Sequence, residues 1–171
     1  MIDEKLSNKQ IAFCRQKARN ILKEFENRQG EIQLPVPIDE IASFYGFEIY
    51  PLETIPNEQS AIIILDSDSK RKLIGINSNH HNNRQRFSIG HELGHFFLSH
   101  PSEKECDEDE IKLYNRQADE FSAELLIPLK LLKTSIKEIK DIGLLAKKFG
   151  VSEQAIWIKI KQQKLLNMIL S

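Results

Sequence analysis

Asn82-Asn-Arg-Gln-Arg-Phe-Ser-Ile-Gly-His-Glu-Leu-Gly-His-Phe-Phe-Leu-Ser-His100 contains the run His91-Glu92-Leu93-Gly94-His95. This is H-E-x-x-H. On a helix of about 3.6 residues per turn, positions i and i+4 share a face, so both imidazoles can reach one metal ion. Zn2+ is the ion that such a pair suits. Glu92 lies one position round the cylinder, where a carboxylate can take a proton from a metal-bound water. The flanks support the helix. Asn82 with Gln85 resembles a capping box, and Pro101 ends the run. Phe87, His91, Gly94, His95 and Leu98 recur at helical spacing, so the histidine face is also the buried face. Gly90 and Gly94 weaken a helix but admit a second element close to it.

The whole chain bounds what that site can belong to. Its 171 residues, 40% of them apolar, suit one domain or one domain with an appendage. A net charge of −1 gives no bulk attraction to nucleic acid or to a membrane surface. The two cysteines, Cys14 and Cys106, form no C-x-x-C pair, which argues for free thiols in a reducing compartment and against sulfur ligation of zinc. Met1–Leu6 carries both signs of charge and leads into no apolar core of signal-peptide length. No segment approaches bilayer-spanning length, so a cytoplasmic location is expected.

Taken in order, residues 8–29 predict a helix stopped by Gly30. Leu34-Pro-Val-Pro37 is an extended connector, and Ile38–Tyr45 a short helix stopped by Gly46. Strands are expected at Phe47–Pro51, Ser60–Leu65 and Lys72–Asn77. The second, apolar throughout and β-branched, reads as the central strand. Asp66–Lys70 closes a hairpin with the third, which is placed beside the cleft, where a peptide could pair with it. The acidic stretch 101–110 reads as a solvated loop or a lid. A second long helix follows over Ile111–Ile127, whose small Ala118, Ser122 and Ala123 suit packing against Gly90 and Gly94. In the lysine-rich remainder, Leu144–Trp157 has helix-turn-helix spacing, with Gly150 at the turn and Ser152 as a cap. Glu153, at the start of the second helix, would repel phosphate, so direct DNA binding is not expected.

Several pieces, in their order, resemble the ImmA/IrrE family of zinc metallopeptidases. They are Leu34-Pro-Val-Pro-Ile-Asp-Glu-Ile-Ala42, Ile76-Asn-Ser78, Arg84 through His95, Gln117-Ala-Asp-Glu-Phe-Ser-Ala-Glu-Leu-Leu-Ile-Pro128 and Phe149-Gly-Val-Ser-Glu-Gln-Ala155. The resemblance implies an α+β fold with a gluzincin-like, zincin-like core over residues 1–128. In it the H-E-x-x-H helix packs on a second ligand-bearing helix beside a small three-stranded antiparallel sheet. Residues 129–171 would be a helix-turn-helix-like portion packed on that core. It also implies cleavage or inactivation of a separate XRE-type helix-turn-helix repressor, as for members encoded on mobile elements. The family takes its third zinc ligand from the glutamate of E-x-x-A-[ND]-x-F. Asp119 fills the Asn/Asp position here, and four residues earlier stands Asn115, whose amide oxygen is a weaker zinc ligand. Asn115 coordinates, or Asp119 substitutes, or zinc binds poorly and the protein acts by binding alone. By the family pattern Asp119 is more naturally an acceptor orienting a ligand histidine.

Among other polar side chains, Tyr114 and His81 are candidates to stabilise an oxyanion or polarise a substrate carbonyl, and His80 shares the loop with His81. His100, nine residues after His91 on a continuing helix, would face away. Arg84 and Arg86 read as structural, pairing with nearby acids. Two functions compete. One is a zinc endopeptidase with Glu92 as its base. The other is a zincin scaffold that captures a repressor or another protein without cutting it.

Overall fold

In the computed structural model, which describes residues 5–170, Ser7 and Gln10 form a capping box that opens helix α1 (Asn8–Gln29), and Gly30 closes it at φ 98°. The opening segment Met1–Glu4, read above for export signals, lies outside the described residues. Next come α2 (Ile38–Phe44), β1 (Phe47–Leu52), β2 (Ala61–Leu65), β3 (Lys72–Asn77) and α3 (Asn82–Phe97). A 3-10 turn at Glu103–Glu105 leads to α4 (Glu108–Leu126), α5 (Leu129–Glu138), α6 (Ile142–Phe149), α7 (Glu153–Gln162) and α8 (Leu166–Leu170). This is mixed α+β. Among the described residues no helix is long and apolar enough to cross a membrane.

The sheet departs from expectation in two ways. Its order is β1-β3-β2, so β3 is central, and the apolar run Ala61–Leu65 lies at an edge. Nor is it antiparallel throughout: β2 pairs antiparallel with β3 through the expected hairpin, whereas β1 runs parallel to β3. The cause is the crossing loop 53–60, which carries the chain from one side of β3 to the other. The buried Asn77 pins that loop, its Nδ2 donating to the carbonyls of Pro56 (3.3 Å) and Gln59 (3.0 Å). Being central, β3 cannot accept a further strand. β2 can, and its Ile62, Ile64 and Leu65 are exposed.

Helix α3 begins one step earlier than the capping-box reading implies. His81 is its N-cap, the ring Nδ1 accepting from Asn83 N, while Gln85 reaches back to the His80 carbonyl at 2.7 Å. It ends at Phe97, short of Pro101, and Ser99 turns the chain at φ 58°. Buried Ile89 and Leu93 turn its apolar side into the core alongside Phe121 and Leu125 of α4. Each such side chain contributes about 1.5–3 kcal/mol on burial. Among the described residues neither Arg84 nor Arg86 has a carboxylate within ion-pair distance, although the charge of Asp39 reaches Arg86. Arg84 donates to Ser60 Oγ, and Arg86 donates to the carbonyls of Gly150 (3.1 Å) and Val36 (2.8 Å). Arg86 thereby ties α3 to both the proline connector and the turn between α6 and α7.

That turn places Gly150 at φ 62°, and Ser152 Oγ accepts from Ala155 N to start α7. Leu132, Ile136, Leu145, Phe149, Ile156 and Ile160 join the same buried cluster as Phe121 and Leu125. A buried ion pair reinforces this contact: Lys159 of α7 donates to Glu124 of α4 at 2.5 Å, and Arg19 of α1 adds a second cation at 3.2 Å.

Candidate metal centre

Two glycines let α3 and α4 approach closely. A Cβ on Gly94 would meet the Ala118 backbone at 3.0 Å, and one on Gly90 would collide with the Ser122 side chain. Ser122 Oγ meanwhile donates to the Phe87 carbonyl of α3 at 2.9 Å. The expected pairing of small residues is therefore real, and it brings residues 91 and 95 opposite residues 115 and 119.

His91 Nε2 and His95 Nε2 lie 3.0 Å apart, and Asn115 Oδ1 lies 3.3 Å from the first and 3.1 Å from the second. Tetrahedral zinc with bonds of about 2.0–2.1 Å sets its donors about 3.3 Å from one another. The three atoms therefore outline one face of such a tetrahedron, and the residues present fit the ion. The misfit is one of charge. Among the described residues no three His, Cys, Asp or Glu side chains converge to hold a metal, because the third corner is a neutral amide.

The remaining ring nitrogens fix which tautomer each histidine adopts. Asp119 Oδ1 accepts from His91 Nδ1 at 2.8 Å, leaving Nε2 with a free lone pair. Asp119 thus contacts His91 through the ring nitrogen that His95 and Asn115 leave free. His95 Nδ1 is 3.0 Å from His100 Nδ1, and His100 Nε2 is 2.9 Å from Gln117 Oε1. A carbonyl oxygen only accepts, so His100 carries its proton on Nε2 and its Nδ1 accepts from His95. That again leaves His95 Nε2 free for a metal. Removing Asp119 as Asp119→Ala is expected to weaken zinc binding by about 10–100-fold, measurable by competition with a chromophoric chelator.

His100 and Gln117 went unrecognised in the sequence because the helix was carried through to Pro101. A signal was present, since the residue before a proline is driven out of the helical region. Once the helix stops at Phe97, His100 swings back to His95, and the Tyr114 ring packs on it with centroids 4.6 Å apart.

Electrostatics separates the three residues of the motif. Burial pushes His91 down, but the hydrogen bond and charge of Asp119, with the charge of Glu92, outweigh it and hold its pKa above the ordinary value. Burial, then the neighbouring His91 and His100, lowers His95 to about 4. Burial raises the Glu92 carboxyl; His91 opposes this, Glu103 adds to it, and a hydrogen bond from the backbone N–H of Ile63 opposes it. That last contact places the edge strand β2 beside Glu92.

Of the expected site residues, the structure brings together His91, Glu92, His95, Tyr114, Asn115 and Asp119. His81 is not among them: it caps the start of α3, ten residues before His91 and about 15 Å away along the axis. His80, in the loop between β3 and α3, is buried against the crossing loop, its Nε2 2.9 Å from the Asn57 carbonyl. Both cysteines are free.

A family model, peptidase M78, described as the IrrE N-terminal-like domain, matches residues 52–161. Among solved structures, a Mycobacterium tuberculosis transcriptional regulator is similar with a TM-score of 0.57 at 14% identity, over 82% of this chain and 45% of that one. The chain thus spans less than half of that regulator, and at such identity the likeness concerns the fold alone. No curated protein matches.

Proposed function

Because the chain belongs to the peptidase M78 family, the IrrE N-terminal-like domain, we propose that it is a zinc-dependent endopeptidase acting in the cytoplasm on a protein substrate. The observation that carries this reading is the triangle of His91 Nε2, His95 Nε2 and Asn115 Oδ1, with Glu92 alongside. His91 and His95, with the Asn115 oxygen, would hold the ion. Bound there, a zinc ion would supply Lewis acidity toward a scissile carbonyl and toward an attached water. Glu92, its carboxyl already raised by burial, accepts the proton of the attacking water and returns it to the leaving amine. Asp119 and His100 keep the two imidazoles in the tautomer that presents Nε2. The exposed edge of β2 aligns an extended peptide by strand pairing, which takes the place of the pairing expected at β3. Tyr114, whose ring packs on His100, would support the oxyanion.

The substrate class follows from the family rather than from the geometry. It is a separate XRE-type helix-turn-helix repressor, of a mobile element, whose loss would release transcription. That a similar structure is a transcriptional regulator is compatible with such a role. Residues 1–128 are read as a zincin-like catalytic core and 129–171 as a helix-turn-helix-like portion seated on it. Asn115 favours a second reading, a scaffold that holds the repressor without cutting it, because a neutral amide grips zinc less firmly than a carboxylate.

The test is incubation of the purified chain with candidate repressors. Cleavage stopped by a chelator and restored by zinc is expected. A complex that survives chelation with no cleavage at any metal level would select the scaffold instead.

A further inference from the structure

Helix α7 buries one side and leaves the other uncovered. Ile156, Lys159 and Ile160 turn into the protein, whereas Trp157 and Ile158 are 38% and 48% exposed. Along the open side runs a groove of about 520 Å3, lined by Glu153, Gln154, Trp157, Ile158 and Lys161. Large apolar side chains at the centre with polar ones at the rim are the anatomy of a small interface. We propose that a second copy of this chain fills the groove, its α7 crossing antiparallel about a two-fold axis at Trp157.

The charges on this face select that occupant. Glu153, Trp157 and Lys161 follow one another at intervals of four residues, so they form one ridge of the helix, each about 6 Å of rise from the next. A two-fold axis through the middle of that ridge sets Glu153 of each copy against Lys161 of the other. It also sets Trp157 against Trp157 and Ile158 of the other copy. A two-fold interface has to be self-complementary in this manner, because one patch serves both sides. Among the described residues neither Glu153 nor Lys161 has an ion-pair partner within its own chain. Lys161 Nζ rests instead over the Trp157 ring, 5.7 Å from its centroid. The net charge of −1 adds almost no repulsion between two whole copies. Nucleic acid fits less well, since Glu153 would face the phosphates, and an acidic protein segment would meet the same carboxylate. With two apolar side chains at its centre the contact is small, so the dimer is reversible rather than permanent. It needs no metal.

Trp157 is the one tryptophan of the chain, so its fluorescence reports directly on whether this face is covered. Sedimentation equilibrium of the full chain, over a concentration series reaching the millimolar range, is run beside Trp157 emission on the same samples. The mass is expected to rise from one chain towards two, and the emission to move to shorter wavelength with the same midpoint. Lys161→Glu places like charges opposite each other and should raise the dissociation constant about tenfold, since symmetry counts the change twice. Adding Glu153→Lys recreates the opposite-sign pairs and should restore the wild-type value. Trp157→Ala, followed by mass alone, should weaken the dimer by about 30-fold or more, as loss of a central aromatic does. A chain that stays monomeric throughout overturns the proposal. So does a dimer that Lys161→Glu leaves unchanged, which would put the contact on another face, or a double variant no tighter than the single one. Emission that moves only when duplex DNA is added assigns the face to nucleic acid and overturns it as well.

Discussion

Replacing Glu92 by glutamine is expected to lower cleavage of the cognate repressor by about 10²–10⁴-fold, the range of a positioned general base, with zinc content unchanged. The two effects separate because Glu92 stands outside the triangle formed by His91, His95 and Asn115. Glutamine keeps the volume and an oxygen that can still accept from the Ile63 N–H. What it loses is the ability to accept a proton from water. Single-turnover cleavage of a purified repressor, beside elemental analysis of both proteins, reads both quantities. Equal rates would remove Glu92 from the chemistry. Loss of zinc together with rate would instead make Glu92 part of the metal's support.

Lys159→Ala is expected to cost about 3–5 kcal/mol, the penalty for stranding one member of a buried ion pair. Lys159 and Glu124 are 1% and 0% exposed. Burial lowers the lysine pKa, and the adjacent Glu124 carboxylate opposes that shift. After the substitution Glu124 keeps Arg19, whose side chain is 42% exposed and so is screened by water. For a chain of this size the loss corresponds to a drop in Tm of roughly 6–20 °C. The double variant Lys159→Met/Glu124→Leu should recover most of it, since apolar replacement of both partners is often neutral. Thermal unfolding followed by circular dichroism decides. A single variant within about 1 kcal/mol of wild type would mean that α7 is not held to α4 by this pair.

The histidine pair was legible because its signal is local. His91 and His95 need only the geometry of one helix, and the small residues at 90, 94, 118 and 122 announce that two helices meet there. Asn115 and Asp119 follow from the family pattern; the helix pair sets Asn115 Oδ1 3.1 Å from His95 Nε2 and Asp119 Oδ1 2.8 Å from His91 Nδ1. Features set by long-range contacts were not legible. The run Ala61–Leu65 is a strand, as its β-branched residues require, but composition does not say which strands flank it, and it lies at the edge. The parallel pairing of β1 depends on Asn77 holding a loop some twenty residues earlier in the chain. Arg86 reads as a partner for acids until the Gly150 and Val36 carbonyls, far away in sequence, are seen around it. His100 was lost to an error of one turn in a helix end, the least certain part of any such reading.

Elemental analysis of the chain purified without added metal, compared with His91→Ala/His95→Ala, tests the metal centre most directly. About one zinc per chain in the wild type and none in the double variant is the expected result. Equal metal in both proteins, or none in a folded wild type even after zinc is supplied, would contradict it.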